Sequence, residues 1–261
     1  MCAELIYVAA SNSQESSMKS KTTVLLGIAM VSLALLGIGC ATGSGTGDGK
    51  VYYATGKDAV TPGGLHRIKW EPFAATFVKP GAKLGNYDAV ILDEVTISYE
   101  RPPRRDPMPG MNDGLDDNFA LSSDATRHMR SYFHQAFAKE LARSNDFRLA
   151  EEPGPTVLRI AAHIVNLTIA VPPQRDQAPD ETVYSSSSGA MTLVLEAEDS
   201  LTGEVLVSLG ERHEISNGLG GFYASNPVTN SGAVRQLFDN WAIRLRKELD
   251  QLKALPEIPK P

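Results

Sequence analysis

The chain has 261 residues, 42% of them hydrophobic and 21% charged, a balance that fits an ordinary globular protein. Its 25 basic and 31 acidic residues leave a net charge of −6, which argues against the clustered basic surface of a nucleic-acid binder. Two cysteines, Cys2 and Cys40, are too few for a disulfide framework, and without C-x-x-C or H-x-x-x-H a zinc site has no support.

Met18-Lys19-Ser20-Lys21 precedes the apolar run Val24 to Gly39. A short cationic region, an apolar stretch and small residues before a cleavage point form the pattern of a secretory signal. The run is 16 residues long and holds Gly27, Ser32 and Gly37. A spanning helix needs about 20 apolar residues, so the run is expected to be a signal and not a permanent anchor. Residues 1–17 place Glu4, Glu15 and a polar stretch ahead of that cationic region, as ordinary signals do not. They are expected to be a misassigned extension, with translation starting at Met18 and the signal covering 18–39.

The run ends in "LGIGC", residues 36–40, which resembles the lipobox of bacterial lipoproteins. Gly39 is the small residue before the cysteine, while Gly37 departs from the leucine most often found there. The resemblance implies cleavage between Gly39 and Cys40, a diacylglycerol on the Cys40 thiol and acylation of the new amine, palmitate being the typical chain. Ala41 after the cysteine resembles the outer-membrane sorting preference, which implies a double-membraned bacterium and a domain facing the periplasm. "ATGSGTGDGK", 41–50, has the composition of a flexible tether, and 40–63 are assigned to the lipidated cysteine with that tether. Several acyl chains give durable anchoring where one is marginal.

Residues 64–255 are expected to form a single α+β domain, with 256–261 as a tail; removing 1–39 deletes two lysines and two glutamates and leaves the charge at −6. "FVKPGAKLGNYD" carries the turn signals Pro80-Gly81 and Gly85-Asn86. "YDAVILDEVTISYE", Tyr87 to Glu100, reads as a strand, continuous and buried before Asp93 and alternating after it. Residues 101–122 are rich in Pro, Gly, Asp and Asn and read as a long loop, with the basic "RPPRR" of 101–105 solvated in it. A helix is expected to begin near Ser123, read as its N-cap, with Asp124 in the first turn, Met129, Phe133, Phe137 and Leu141 as its apolar stripe, and His128 and His134 on different faces, which is not a metal pair.

"TVLRIAAHIVNLTIAV" is expected as a long strand whose apolar parity changes near Ile164, the mark of a bulge; its lone His163 reads as structural. Residues 172–190, rich in Pro, Gln and Ser, read as a mobile loop and a candidate contact surface. "AMTLVLEAEDSLTGEVLVSLGERHEI" reads as a hairpin, with Met191, Leu193, Leu195 and Ala197 facing inward and the turn at 199–203. Glu196, Glu198 and Asp199 fall on or beside its outer face and are expected to be solvated. After a loop over 216–231, Val234, Phe238, Trp241, Leu245, Leu249 and Leu252 recur at helical spacing as a core face, with Arg244, Arg246, Lys247, Glu248 and Asp250 in the remaining positions. Two helices separated by a run of strands predict a two-layer sandwich, an antiparallel or mixed sheet with both helices on one face.

"FVKPGAKLGNYDAVILDEVTI", "EPGPTVLRIAAHIVNL", "LEAEDSLTGEVL" and "NWAIRLRKELD", in this order and spacing, resemble an uncharacterised family of bacterial lipoproteins, the domain-of-unknown-function family numbered 3313. The resemblance spans Gly64 to Leu252 and implies no catalytic residues. No G-x-S-x-G, G-x-x-x-x-G-K-[ST] or H-E-x-x-H occurs, and no cofactor motif is present. The expectation is a lipid-anchored, non-enzymatic envelope protein whose partners are the membrane, through Cys40, and another envelope protein. A periplasmic module binding a small lipid or glycan on the sheet face away from the helices is the alternative, and a hydrolase with an unfamiliar site the weaker one.

Overall fold

The computed structural model of the protein describes residues 51–70, 72–101, 119–170, 187–215 and 230–261, together with the backbone of 184–185, 223–224 and 227–229. At its start an extended arm runs beside β1 (His66–Ile68), where Tyr53 bridges Ile68 and Val60 bridges His66. The described part of the expected 40–63 tether is therefore packed on the sheet: Ala59 and Thr61 are buried. β2 (Ala75–Val78) pairs with β1. The turns at Gly81 (φ 81°) and at Leu84–Asn86, a single 3-10 turn, lie where the sequence puts them.

The one strand expected over 87–100 is two, β3 (Ala89–Leu92) and β4 (Thr96–Tyr99). Both pair in parallel with β6 (Val157–Ile169), end to end along its one edge, and residues 93–95 interrupt them. α1 (Ser123–Leu141) begins one residue after its cap: the Ser122 hydroxyl accepts from the Ala125 amide at 3.1 Å, with Asp124 in the first turn. β5 (Arg148–Leu149) returns to the outer side of β3.

β8 (Gly189–Asp199) and β9 (Val205–Ile215) form the expected hairpin, with Leu195 opposite Leu209 and the turn closed by Gly203 at φ 70°. The loop expected over 172–190 is shorter than predicted. Backbone at β7 (Tyr184–Ser185) pairs with β10 (Tyr223–Ala224), and Ser188 is buried where its amide donates to the Ile215 carbonyl. α2 (Pro227–Lys253) starts inside the segment read as a loop.

The sheet is mixed and has eight strands in the order β1-β2-β9-β8-β6-β3-β5, with β4 also on β6. Met129, Phe133, Phe137 and Leu141 of α1 and Phe238, Trp241, Leu245, Leu249 and Leu252 of α2 enter one core with Leu158, Ile160, Leu193, Leu195 and Leu209 of the sheet. Both helices thus cover the same face, the predicted two-layer α+β sandwich. On the other face β8 does not alternate wet as expected, because Leu65 closes over Ala75, Phe77 and Val194. The final segment is likewise no free tail. Ile258 is fully buried, its amide donating to the Ala82 carbonyl and its carbonyl accepting from the Gly81 amide, both at 2.8 Å.

The parity change predicted near Ile164 is a bulge between Val165 and Thr168, built on Asn166 at φ 51°. Asparagine tolerates that left-handed conformation better than its neighbours would. Across the bulge sits Gly189 (φ 144°), where a Cβ would collide with the Thr168 carbonyl. Gly189→Ala is expected to cost about 2–4 kcal/mol in urea unfolding. Gly203→Ala, whose Cβ meets nothing within 4 Å, should cost only the left-handed penalty of about 1–2 kcal/mol. Equal losses would show that the close approach at Gly189 does not constrain the bulge.

Candidate functional site

The cleavage and lipidation residues, Gly39 and Cys40, lie outside the described residues, as does Cys2. What the structure adds is the arrangement of the domain's polar groups. His128 and His134 are exposed on α1, and His128 stacks on Tyr132 with ring centres 6.0 Å apart. Among the described residues no group of three or more His, Cys, Asp or Glu is placed to hold a metal ion. No described helix is long and apolar enough to cross a membrane.

One polar surface is organised by the sheet itself, on the face without helices. Register puts Arg159 opposite Glu198, Ala161 opposite Glu196, and His163 between Val194 and Thr96. Alternation sends these side chains to the same side, where Thr96 Oγ1 and His163 Nδ1 lie 2.7 Å apart and Arg159 Nε is 3.8 Å from an Asp93 oxygen. Glu198 is only partly exposed. Burial raises its pKa, the Glu196 and Asp93 carboxylates add to the rise, and Arg159 and His163 oppose it. Glu196 and Glu198 are thus half-buried members of a mixed-charge patch, where the sequence reading left them solvated.

A hydroxyl within hydrogen-bonding distance of an imidazole is the first part of an activated nucleophile. The second part, a group orienting the ring from its other nitrogen, is not hydrogen-bonded to His163 among the described residues. The patch offers charged and hydrogen-bonding groups of both signs beside apolar neighbours on one face of the sheet. Asp199, counted with the two glutamates in the sequence reading, has a different task. It accepts from the Leu201 and Thr202 amides at 3.1 and 2.8 Å and from the Tyr87 hydroxyl at 2.9 Å, holding the hairpin turn. The Thr202 amide leads in lowering its pKa, while burial first, then Asp199, push Tyr87 up to about 12.

A second cluster lies between α2 and the sheet. Arg244 Nη1 meets both Glu211 carboxylate oxygens at 2.7 and 2.6 Å. His213, packed edge-on to Trp241 at 6.4 Å, has its pKa lowered by burial, against the pull of Glu211. Glu248, which the sequence reading put on the polar side of the helix with Arg244, is instead fully buried. Its spacing, seven after Trp241 and three after Leu245, already placed it on the apolar stripe.

Residues 69–245 match the family model described as a protein of unknown function, DUF3313. No curated protein matches the sequence. Among solved structures, a PelC dodecamer from Paraburkholderia phytofirmans is similar at 14% identity and a TM-score of 0.31, covering 69% of this chain and 97% of that one. A DUF330 protein from Xanthomonas campestris is similar at 11% identity and a TM-score of 0.35, over 66% and 87%. A protein described as a neuraminyllactose-binding hemagglutinin homolog from Helicobacter pylori shares 12% identity at a TM-score of 0.35, over 67% and 91%. At such scores none of them bears on what this chain does.

Proposed function

The chain belongs to the DUF3313 family, and from that premise we propose that it is a lipid-anchored, non-enzymatic protein of the cell envelope, held in the outer membrane with its domain in the periplasm. The observation that carries this reading is the order of parts: a cationic start at Met18, an apolar run to Gly39, Cys40, a Gly/Ser/Thr stretch and then a folded domain. Ten residues separate Cys40 from Val51, where the described fold begins. Fully extended they reach about 35 Å, so the domain stays close to the membrane that holds Cys40.

The domain's contribution is a contact surface for another envelope protein, and the helix-free face with Glu196, Glu198, Arg159 and His163 is the surface it offers. The complex should survive gentle solubilisation of membranes, so that the protein elutes with a partner. Neutralising both, Glu196→Gln with Glu198→Gln, should remove that partner without lowering the thermal midpoint, because neither carboxylate is hydrogen-bonded among the described residues and burial and the neighbouring carboxylates already oppose the charge on Glu198. A single-protein eluate from the unaltered chain would count against the reading. Retention of the partner by the double variant would move the contact to another face. The same patch favours the second reading, a module for a small glycan or lipid head group, in which case the variant loses a small molecule in native mass spectra instead.

A further inference from the structure

Between α2 and β2 lies a carboxyl group that the proposed function does not use. α2 crosses the sheet from β9 toward β2. Where it passes β9, Arg244 answers Glu211 and also donates to the Pro72 carbonyl at 3.3 Å. One turn later Glu248 enters the layer with nothing comparable. It is fully buried, neither carboxylate oxygen has a hydrogen-bond partner among the described residues, and Leu245, Leu249 and Leu252 around it are at most 1% exposed. On the sheet side Thr76 is buried too, its hydroxyl also without a partner.

The charged groups on every element packed there are already committed or turned outward. On α2, Arg244 holds Glu211, Lys247 is exposed, and Asp250 is held by Arg246 at 3.0 Å and by Ser144 at 2.7 Å. Lys79, at the end of β2, pairs with Glu204. On β9, Val207 and Leu209 are apolar and Glu211 is the anion already answered. The arm, β1 and the final segment contribute Tyr53, Ile68, Leu255 and Ile258. A carboxylate buried without a counter-ion is held in its neutral form. Burial lifts Glu248 to about 8, and the Thr76 hydroxyl on the facing strand pulls the other way.

We propose that Glu248 is a proton-dependent latch: neutral, it lets the last turns of α2 seat on β2, and its ionisation loosens the sheet edge formed by β1, β2, the arm and the final segment. The attachments of that edge run through the same end of α2. Trp70 Nε1 donates to Gln251 Oε1 at 3.2 Å, Ile258 is stitched to Gly81 and Ala82, and the Tyr53 hydroxyl donates to the Pro259 carbonyl. The hairpin of β8 and β9 is secured by the β6–β8 ladder and by Arg244 on Glu211, a turn earlier on α2, and should stay closed.

The sign follows from linkage. The folded-state value lies above the unfolded one of 4.5, so folding takes up a proton between the two. Stability is fully present below about 4.5, declines as pH rises toward 8 and levels off above it. In that interval the folding constant should fall about tenfold per pH unit.

The test is urea unfolding of the full chain from pH 5 to 9, with Glu248→Gln beside it. The unaltered chain should lose about a hundredfold in folding constant between pH 5.5 and 7.5 relative to the variant. Hydrogen exchange at pH 9, corrected for intrinsic rates, should open 66–68, 75–78 and 258 in the unaltered chain while 193–195 stay protected in both. The same pH slope in both proteins would overturn the latch. Should Glu248→Gln fail to fold, the unaltered chain decides: unfolding at pH 7.5, where a free imidazole takes up little, in buffers of different ionisation enthalpy should release most of one proton, and release of none overturns the proposal.

Discussion

Trp241→Ala is expected to lower the stability of the domain by about 3–5 kcal/mol, the largest loss from any single core truncation in this chain. Trp241 is fully buried and belongs to a chain of rings that joins three elements. Phe137 stacks on Phe133 at 4.0 Å, Phe133 meets Phe238 edge-on at 5.5 Å, and Phe238 lies 6.0 Å from Trp241, which meets His213 of β9. Removing the indole leaves a void where α1, α2 and the sheet meet, and a close-packed interior only partly collapses into it. Against a total of about 5–15 kcal/mol, that loss leaves little margin, and the thermal midpoint should drop by about 10 °C. Trp241→Phe should behave differently. The indole N–H is buried without a partner among the described residues, so the phenyl ring gives up volume but also relieves an unsatisfied donor, and the net cost should stay below about 2 kcal/mol. Urea unfolding of the two variants separates these contributions; equal losses would mean that the phenyl ring restores nothing and that neither retained volume nor the relieved donor sets the stability there.

The second large effect is on location. Cys40→Ala should remove the acyl acceptor and move the protein from the membrane pellet to the soluble periplasmic fraction, with at least a tenfold loss of membrane-bound protein. The magnitude follows from chain burial: each methylene contributes about 0.8 kcal/mol, so even one acyl chain outweighs the loss of a single surface contact. Cys2→Ala should change nothing, since Cys2 lies ahead of Met18. A Cys40→Ala chain that stays in the pellet would place the anchor elsewhere in the sequence.

Where side-chain periodicity is local, the fold is legible in the sequence. The stripes of α1 and α2, the hairpin of β8 and β9 with its turn at Asp199, and the bulge marked by the parity change after Ile164 all follow from spacing alone. What escapes is burial imposed from a distance. β1 and β2 are short, and Thr76 sits among apolar neighbours without announcing a face. Ile258 lies between Pro256 and Pro259, a composition that reads as a free tail, yet the turn at Gly81 receives it. β8 looks one-sided until Leu65, well over a hundred residues earlier, closes its second face. The candidate site divides in the same way. Alternation alone puts Glu196 and Glu198 on one face. The meeting of Thr96 with His163 depends on the register of β4 along β6, which no local pattern encodes. Glu248 was readable by its spacing from Trp241, but its charge type argued for the wrong side of the helix.

The central claim, a domain anchored through Cys40, is tested most directly by mass spectrometry of the native amino terminus. The mature chain should begin at Cys40, carrying a diacylglycerol on the thiol and an acyl group on the amine. A chain that begins, unacylated, at Met1, or one that retains residues 24–39, would contradict it.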